Sequence, residues 1–285
     1  MQFARRPDLS EAEFLHGEIA QRMMQRLRLI RLVPATILDA GCGDGRRIEL
    51  LKNRYPDASY IGLDINTHYL AQSKKKFPQG WQKWIKQLRG QPAARQWIEA
   101  DLADSGLQPE SIDLVWSNLA LHWHPRPHDV LREWSRVLRP GGVVFFSCFG
   151  PSTLQEVREA ISSAGLRTKT PQFVDMHDFG DQLVERGFGD PVMDQEIITL
   201  TYQSAEKLLQ DLRALGGNPA IGRKSTLTSR AWKQRLIDAL ESKRDPDGTI
   251  HLSIEVAYGH AWKTAIQRLP GETRISLSAI RKKGG

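Results

Sequence analysis

The stretch TILDAGCGDGRRIELL, Thr36 to Leu51, decides how the chain is read. Apolar Ile37 and Leu38 run into Asp39, glycines follow at Gly41, Gly43 and Gly45, and an amphipathic run opens at Arg46. That order is a strand, a tight glycine turn and a helix start, the arrangement of a nucleotide-like ligand site at the carboxyl end of a parallel strand. Glycine suits the turn because it accepts positive φ and, without Cβ, lets a ligand approach the backbone. The spacing is not the dinucleotide pattern G-x-G-x-x-G but G-x-G-x-G after an acid. A pyrophosphate wants amide N–H groups and no carboxylate beside it. Asp39 therefore points to a ligand carrying a cationic group.

Downstream, ASYIGLDI reads as strand two ending at Asp64, nineteen residues past Gly45. An α/β cofactor domain places there the carboxylate that binds ribose hydroxyls. WIEADL is strand three, and Asp101 at its end is placed to accept from an adenine amino group. IDLVWSNLALHW, Ile112 to Trp123, gives a buried strand four ending near Ser117 and Asn118, with Trp116, Leu119 and Leu121 as core. His122, Trp123 and His124 form a loop beside the site. No third ligand joins the two histidines, so no metal is expected.

Upstream, residues 14–30 place Phe14, Ile19, Met23, Leu27 and Ile30 at helical spacing, with Arg22, Arg26 and Arg28 on a solvated face. Such a helix can also lie across the ligand. Past strand four come a helix over 129–138, the turn RPGG, strand five VVFFSCF, and a helix over 152–164. The last is expected to be capped by Ser152 or Thr153, with Glu156 in a capping box. A further helix runs to Gly187, and PVMDQEIITLTY is strand six, with Ile197, Thr199 and Thr201 alternating. Residues 203–245 read as two helices joined by a basic loop, the second capped by Thr228 or Ser229. Lying between two strands, they are expected to form a helical cap over the site. HLSIEVAYGHAWK, His251 to Lys263, is the final strand, and residues 279–285 form a basic, disordered tail. The alternation predicts an α/β, doubly wound sheet.

Composition narrows the class. The chain has 285 residues, 40% hydrophobic and 26% charged, ordinary for a soluble globular protein. A net charge of +7 favours an anionic partner. Cys42 and Cys148 are too few for a metal cluster and read as small buried residues in a reducing, cytoplasmic setting. Neither a secretory leader nor a membrane span is expected. Trp81, Trp84 and Ile85 beside Lys83, Lys86 and Arg89 form an apolar and basic face, read mainly as packing with solvated charges.

With the glycine loop, Asp64, Asp101 and RVLRPGG together, the chain resembles the class I S-adenosylmethionine-dependent methyltransferases over residues 36–148. LDAGCGDG is similar to their first motif, GLDI to their ribose motif, and DLVWSNLALHW with VLRPGGVVFFS to the later strands. The resemblance implies a Rossmann-like, seven-stranded sheet with a reversed final hairpin. It implies S-adenosyl-L-methionine as cofactor, met by Asp39 and the backbone of Gly41, Gly43 and Gly45 at the methionine moiety. Asp64 and Ile65 then meet the ribose, Asp101 and Leu102 the adenine, and Asn118 lies at the end of strand four. Over nearly the whole chain, EFLHGEIAQRM, FSCFGPSTLQEVREA, MHDFGDQLVERGF, LTYQSAEKLLQDLRALGG and VAYGHAWK resemble the malonyl-acyl carrier protein O-methyltransferases of biotin synthesis. The same features occur in related proteins of that branch, including a mitochondrial complex I assembly factor. One departure is the absence of any tyrosine before Tyr55, with Leu9 near the place where the biotin enzymes carry one.

The resemblance implies one methyltransferase domain, 1–285, with an N-terminal helix at 14–32, a cofactor core at 36–202, a helical cap at 203–245 and a closing strand region at 250–278. The expected reaction is in-line displacement by a carboxylate, which is ionised near pH 7 and needs no general base. A malonyl carboxylate needs a positioning cation, and an arginine fork matches it best. Arg213 and Arg223 in the cap are the candidates, Arg223 favoured for its glycine-flanked loop. Tyr202 and Tyr258, at strand ends, are candidates for lining the pocket. Acyl carrier protein is the expected partner, steered by Lys83, Lys86, Arg89, Arg223, Lys224 and Arg230. Two other readings stay open. Another small acid or a quinone-like ring would take the methyl group, a ring hydroxyl recruiting His122 or His124 as base; or the chain is a protein-acting assembly factor that contacts its partner through Trp81–Arg89. Nucleic acid is disfavoured, because Ser117-Asn118-Leu119-Ala120 is not the Asn/Asp-Pro-Pro-aromatic motif.

Overall fold

The computed structural model describes residues 10–77, 95–216 and 229–265. Among them, helix α1 (Glu13–Leu27) precedes strand β1 (Thr36–Ala40). There follow α2 (Ile48–Arg54), β2 (Ser59–Asp64), α3 (Thr67–Lys76), β3 (Arg95–Glu99), β4 (Ile112–Asn118), α4 (Pro127–Val137) and β5 (Leu138–Phe149). The second half comprises α5 (Gln155–Ser163), α6 (Met176–Glu185), β6 (Phe188–Tyr202), α7 (Ala205–Ala214), α8 (Arg230–Glu241) and β7 (Ile250–Lys263).

The strands form one seven-stranded sheet in the order β3-β2-β1-β4-β5-β7-β6. Neighbours from β3 through β5 are parallel, and β7 lies antiparallel between β5 and β6. The expected doubly wound sheet with a reversed last hairpin is therefore what forms. Its order reverses between β1 and β4, and a ligand crevice opens at such a switch point.

Alternation along buried strands builds two apolar layers. On β5, Val143, Phe145 and Phe149 face the layer that holds α1, α2, α5, α7 and α8. Val144, Phe146 and Cys148 face the layer of α4 and α6. Fully buried on both faces, β4 and β5 carry Leu114, Val115, Trp116, Phe145 and Phe146 without exposure above 1%.

Local expectations need correction in several places. The inward face of α1 is Leu15, Ile19, Ala20, Met23, Met24 and Leu27, while Phe14 is 46% exposed. Arg22 and Arg26 are not simply solvated. Arg22 pairs with Glu18 and Glu196, and Arg26 pairs with Asp194 on β6 and lies 3.9 Å over the ring of Tyr258. Such part-exposed pairs contribute about 0–1 kcal/mol each, against about 1.5–3 kcal/mol for each fully buried Leu, Ile or Met. The apolar face holds α1 down, and the arginines fix its alignment against β6. On β6 the alternation is real but Ile197, Thr199 and Thr201 point outward, with Ile197 61% exposed, and Ile198 and Leu200 pack inward. The capping box at α5 does not form. Leu154 precedes the helix at φ 64°, Glu156 accepts from Ser253, and Thr153 Oγ1 donates to the Glu255 carbonyl. RPGG lies within β5, where its pairing with β4 shifts register. Leu9, the Trp81–Arg89 segment, Arg223, Lys224 and the 279–285 tail lie outside the described residues.

A Cβ on Gly41 would stand 2.3 Å from the Cβ of Ala120, at φ +83°. Gly106, at φ +67°, has open space instead. Gly41→Ala is expected to cost about 2–4 kcal/mol, strain plus overpacking. Gly106→Ala is expected to cost about 1 kcal/mol, strain alone. Urea denaturation of the two variants checks this, and equal losses would contradict it.

Candidate active site

The crevice is built first by the loop between β1 and α2. Gly41, Gly43 and Gly45 all hold positive φ, at 83°, 56° and 76°. The N–H groups of Gly41 and Cys42 both donate to the Leu63 carbonyl, at 2.8 and 3.0 Å. Gly43 N–H donates to Asp64 Oδ2 at 2.8 Å, and Gly45 N–H to the Cys42 carbonyl at 3.0 Å. These four amides are spent inside the protein. A pyrophosphate cradle needs such groups turned outward, so the loop geometry agrees with the acid in setting aside a dinucleotide.

Asp39, next to last in β1, is 1% exposed and accepts the Tyr60 hydroxyl at 2.6 Å. Burial raises its pKa to about 7, a rise that the Tyr60 hydrogen bond and the charge of Arg47 only partly oppose. A buried carboxylate so short of positive charge fits a ligand bearing an ammonium or sulfonium group. Asp64 accepts Gly43 N–H on one oxygen and Asn66 N–H, at 2.8 Å, on the other. Burial raises its pKa as well, opposed by those backbone bonds. With backbone donors from Gly43, Asn66 and Ile65, the carboxylate still has acceptor capacity for a ribose hydroxyl. Ile65 beside it is 46% exposed, an apolar surface turned outward next to the acid. Asn66 caps α3, accepting from His68 N–H at 3.0 Å.

Asp101 lies just past β3, and its Oδ1 accepts from Ala103 N–H at 2.8 Å and meets His124 Nε2 at 3.0 Å. Leu102 packs, partly buried, against the α4–α6 layer. Asp39, Asp64, Asp101, Ile65, Leu102 and the glycines thus line the carboxyl ends of β1, β2 and β3. Asn118 is committed elsewhere: its Nδ2 donates to the His16 carbonyl at 3.0 Å and its Oδ1 accepts from Ser147 at 3.0 Å. It ties α1 to the rim of the site.

Among the described residues, Tyr258, Tyr202, Arg213 and His122 sit in separate surroundings. Tyr258 donates to Glu196 under Arg26, so it belongs to the brace between α1 and β6. Tyr202 is buried at the end of β6 in the apolar layer, with burial and the charge of Asp211 pushing its pKa up. Arg213 is exposed on the last turn of α7. His122 sits in the 3-10 turn Leu121–Trp123 and accepts Phe149 N–H on Nδ1 at 3.4 Å. Its Nε2 therefore carries the proton, which removes it as the base for a ring hydroxyl. Sequence reading missed His124 as the partner of Asp101, and Tyr60 as the partner of Asp39. It also missed Gly216 after α7, where a Cβ would fall 2.0 Å from the Trp123 ring. Only the strand phase of Tyr60 carried any signal. No metal-ligand cluster and no helix long and apolar enough to cross a membrane occurs among the described residues.

Residues 38–146 match the methyltransferase domain family. The chain is similar to the malonyl-[acyl-carrier protein] O-methyltransferase of Laribacter hongkongensis, 42% identical over 89% of this chain and 84% of that one. It is similar to the enzyme of that name from Legionella pneumophila, 35% identical over 97% and 94%. In fold it is similar to the YcgJ protein of Bacillus subtilis, with a TM-score of 0.58 at 12% identity over 87% of this chain and 99% of that one.

Asp39 gives the site a pH signature. A cation that binds the ionised carboxylate loses its partner as pH falls through about 7. Affinity for S-adenosylmethionine is expected to weaken about tenfold per pH unit below that point, and Asp39→Asn to bind weakly with that slope gone. Calorimetry from pH 8 to 5 measures both, and a flat wild-type profile would refute the assignment.

Proposed function

The chain belongs to the malonyl-[acyl-carrier protein] O-methyltransferase family, and we propose that it methylates the free carboxylate of a malonyl thioester on acyl carrier protein, in biotin synthesis. It is an S-adenosylmethionine-dependent O-methyltransferase. The observation that supports the cofactor is the buried Asp39 beside a glycine loop whose amides are already used, and the acceptor rests on the 42% and 35% identity to enzymes of that name. Bound S-adenosylmethionine supplies a methyl group on a sulfonium centre, activated toward attack by an oxygen anion.

The protein's own work is then orientation and exclusion of water. Asp39 answers the positive charge of the methionine moiety. Asp64 and Ile65 take the ribose, and Asp101, held by His124, takes the adenine amino group with Leu102 beside it. No base is needed, since a malonate carboxylate is ionised near neutrality. Arg213 and Arg223 are our candidates for its counter-charge. The acidic carrier meets the basic rim that includes Arg230, exposed at the start of α8. We take residues 1–285 as one methyltransferase domain, with core 36–202 and cap 203–245, acting in the cytoplasm and not on nucleic acid.

Incubation of the protein with S-adenosylmethionine and malonyl-acyl carrier protein is expected to yield a methyl ester at the malonyl carboxylate, read by mass spectrometry. Complementation of a biotin auxotroph lacking the methylation step should follow. Arg223→Ala is expected to lower turnover at least about tenfold, the scale of a lost charge-assisted contact, with cofactor affinity intact. Transfer to a different small acid, with none to malonyl-acyl carrier protein, would overturn the reading.

A further inference from the structure

His122, in the turn beside the crevice, has a ring nitrogen whose chemistry this function leaves unused. Its turn, Leu121–Trp123, follows β4 at the switch point, directly after Ala120, which packs on Gly41. Rings surround it: Phe149 at 4.5 Å, Trp123 at 5.2 Å and Phe173 at 5.6 Å between centroids. Nδ1 is occupied by the Phe149 N–H, so the proton lies on Nε2. That atom is shut off from solvent and has no hydrogen-bond partner among the described residues. Burial, with His16 nearby, holds the ring's pKa down to about 3, so it stays neutral at working pH.

A buried donor without an acceptor costs about 1–3 kcal/mol. Such a cost is retained where a ligand supplies the missing partner. Aromatic walls and low dielectric favour one strong contact, and an anionic oxygen is the strongest acceptor for it. We propose that His122 Nε2–H is the donor that orients the acceptor carboxylate, a specificity determinant that favours carboxylates over hydroxyl acceptors. This rests on the function proposed above. A neutral donor holds the anion without cancelling its charge, so the oxygen remains nucleophilic. A hydroxyl acceptor would need a base, and protonated Nε2 offers none.

The test compares His122→Phe, which keeps the ring and deletes the donor, with His122→Gln, whose amide reaches the place of Nε2. His122→Phe is expected to raise KM for malonyl-acyl carrier protein roughly ten- to hundredfold. Its Kd for S-adenosylmethionine should stay within about twofold, and its Tm should hold or rise because an orphaned donor is gone. His122→Gln should recover most of the KM. Wild-type kcat/KM in His122→Phe would overturn the proposal, as would a Gln variant equally defective at wild-type Tm. If His122→Phe fails to fold, His122→Met, matched to Gln in length without the donor, decides on the same criterion. Failure of the wild type itself to methylate malonyl-acyl carrier protein would instead strike the proposed function.

Discussion

The structure depends on how the chain turns after β1. Three residues at positive φ send the amides of Gly41, Cys42 and Gly43 back onto the end of β2, at Leu63 and Asp64. The turn stitches the two strand ends together and leaves Asp39 sealed behind it, with the Tyr60 hydroxyl as its hydrogen-bond donor. The amides of Gly41, Cys42, Gly43 and Gly45 all donate elsewhere. A cation is the economical answer to a buried negative charge, so the backbone geometry of the turn and the ligand class are consequences of one another. The same missing Cβ at Gly41 lets Ala120 close in and brings the β4 loop against the turn.

Around that junction the site is assembled from distant parts of the chain. α1 reaches it through the His16 carbonyl and Asn118, β5 and the segment after it through Phe149 and Phe173, and the α7 end through Gly216 on Trp123. The arginines of α1 act at the opposite side, on β6 and Tyr258. One helix therefore spans from the rim of the crevice to the far edge of the sheet.

The fold was legible because its signals are local. A glycine turn after a short apolar run, acids at strand ends and buried runs in β4 and β5 follow directly from backbone conformation and strand periodicity. The acids at Asp39, Asp64 and Asp101 could be named for the same reason. Partners could not. Glu196 answers Arg22 across 174 positions, and His124 meets Asp101 through a turn whose geometry no spacing rule gives. For Tyr258 and Tyr202 the sequence offered pocket lining and core packing alike, because an aromatic residue near a strand end looks the same facing a pocket or a layer of helices. Thr153 and Glu156 have the composition of a cap, yet β7 offered them better partners than the helix did. The alternation of β6 was legible and its facing was not, since alternation alone does not say which side is covered.

The position of β7 has a consequence for biosynthesis. β6 has β7 as its neighbour in the sheet, and β5 completes its outer edge with the same strand. Yet α7 and α8 come between β6 and β7 in the chain. On the ribosome, two strand edges with unpaired backbone groups must wait until that helical pair has emerged and the last strand can slide in between. Unpaired edges recruit other chains. A pause or truncation within residues 203–250 therefore exposes the nascent protein at its most adhesive stage, and α7 and α8 lengthen that interval.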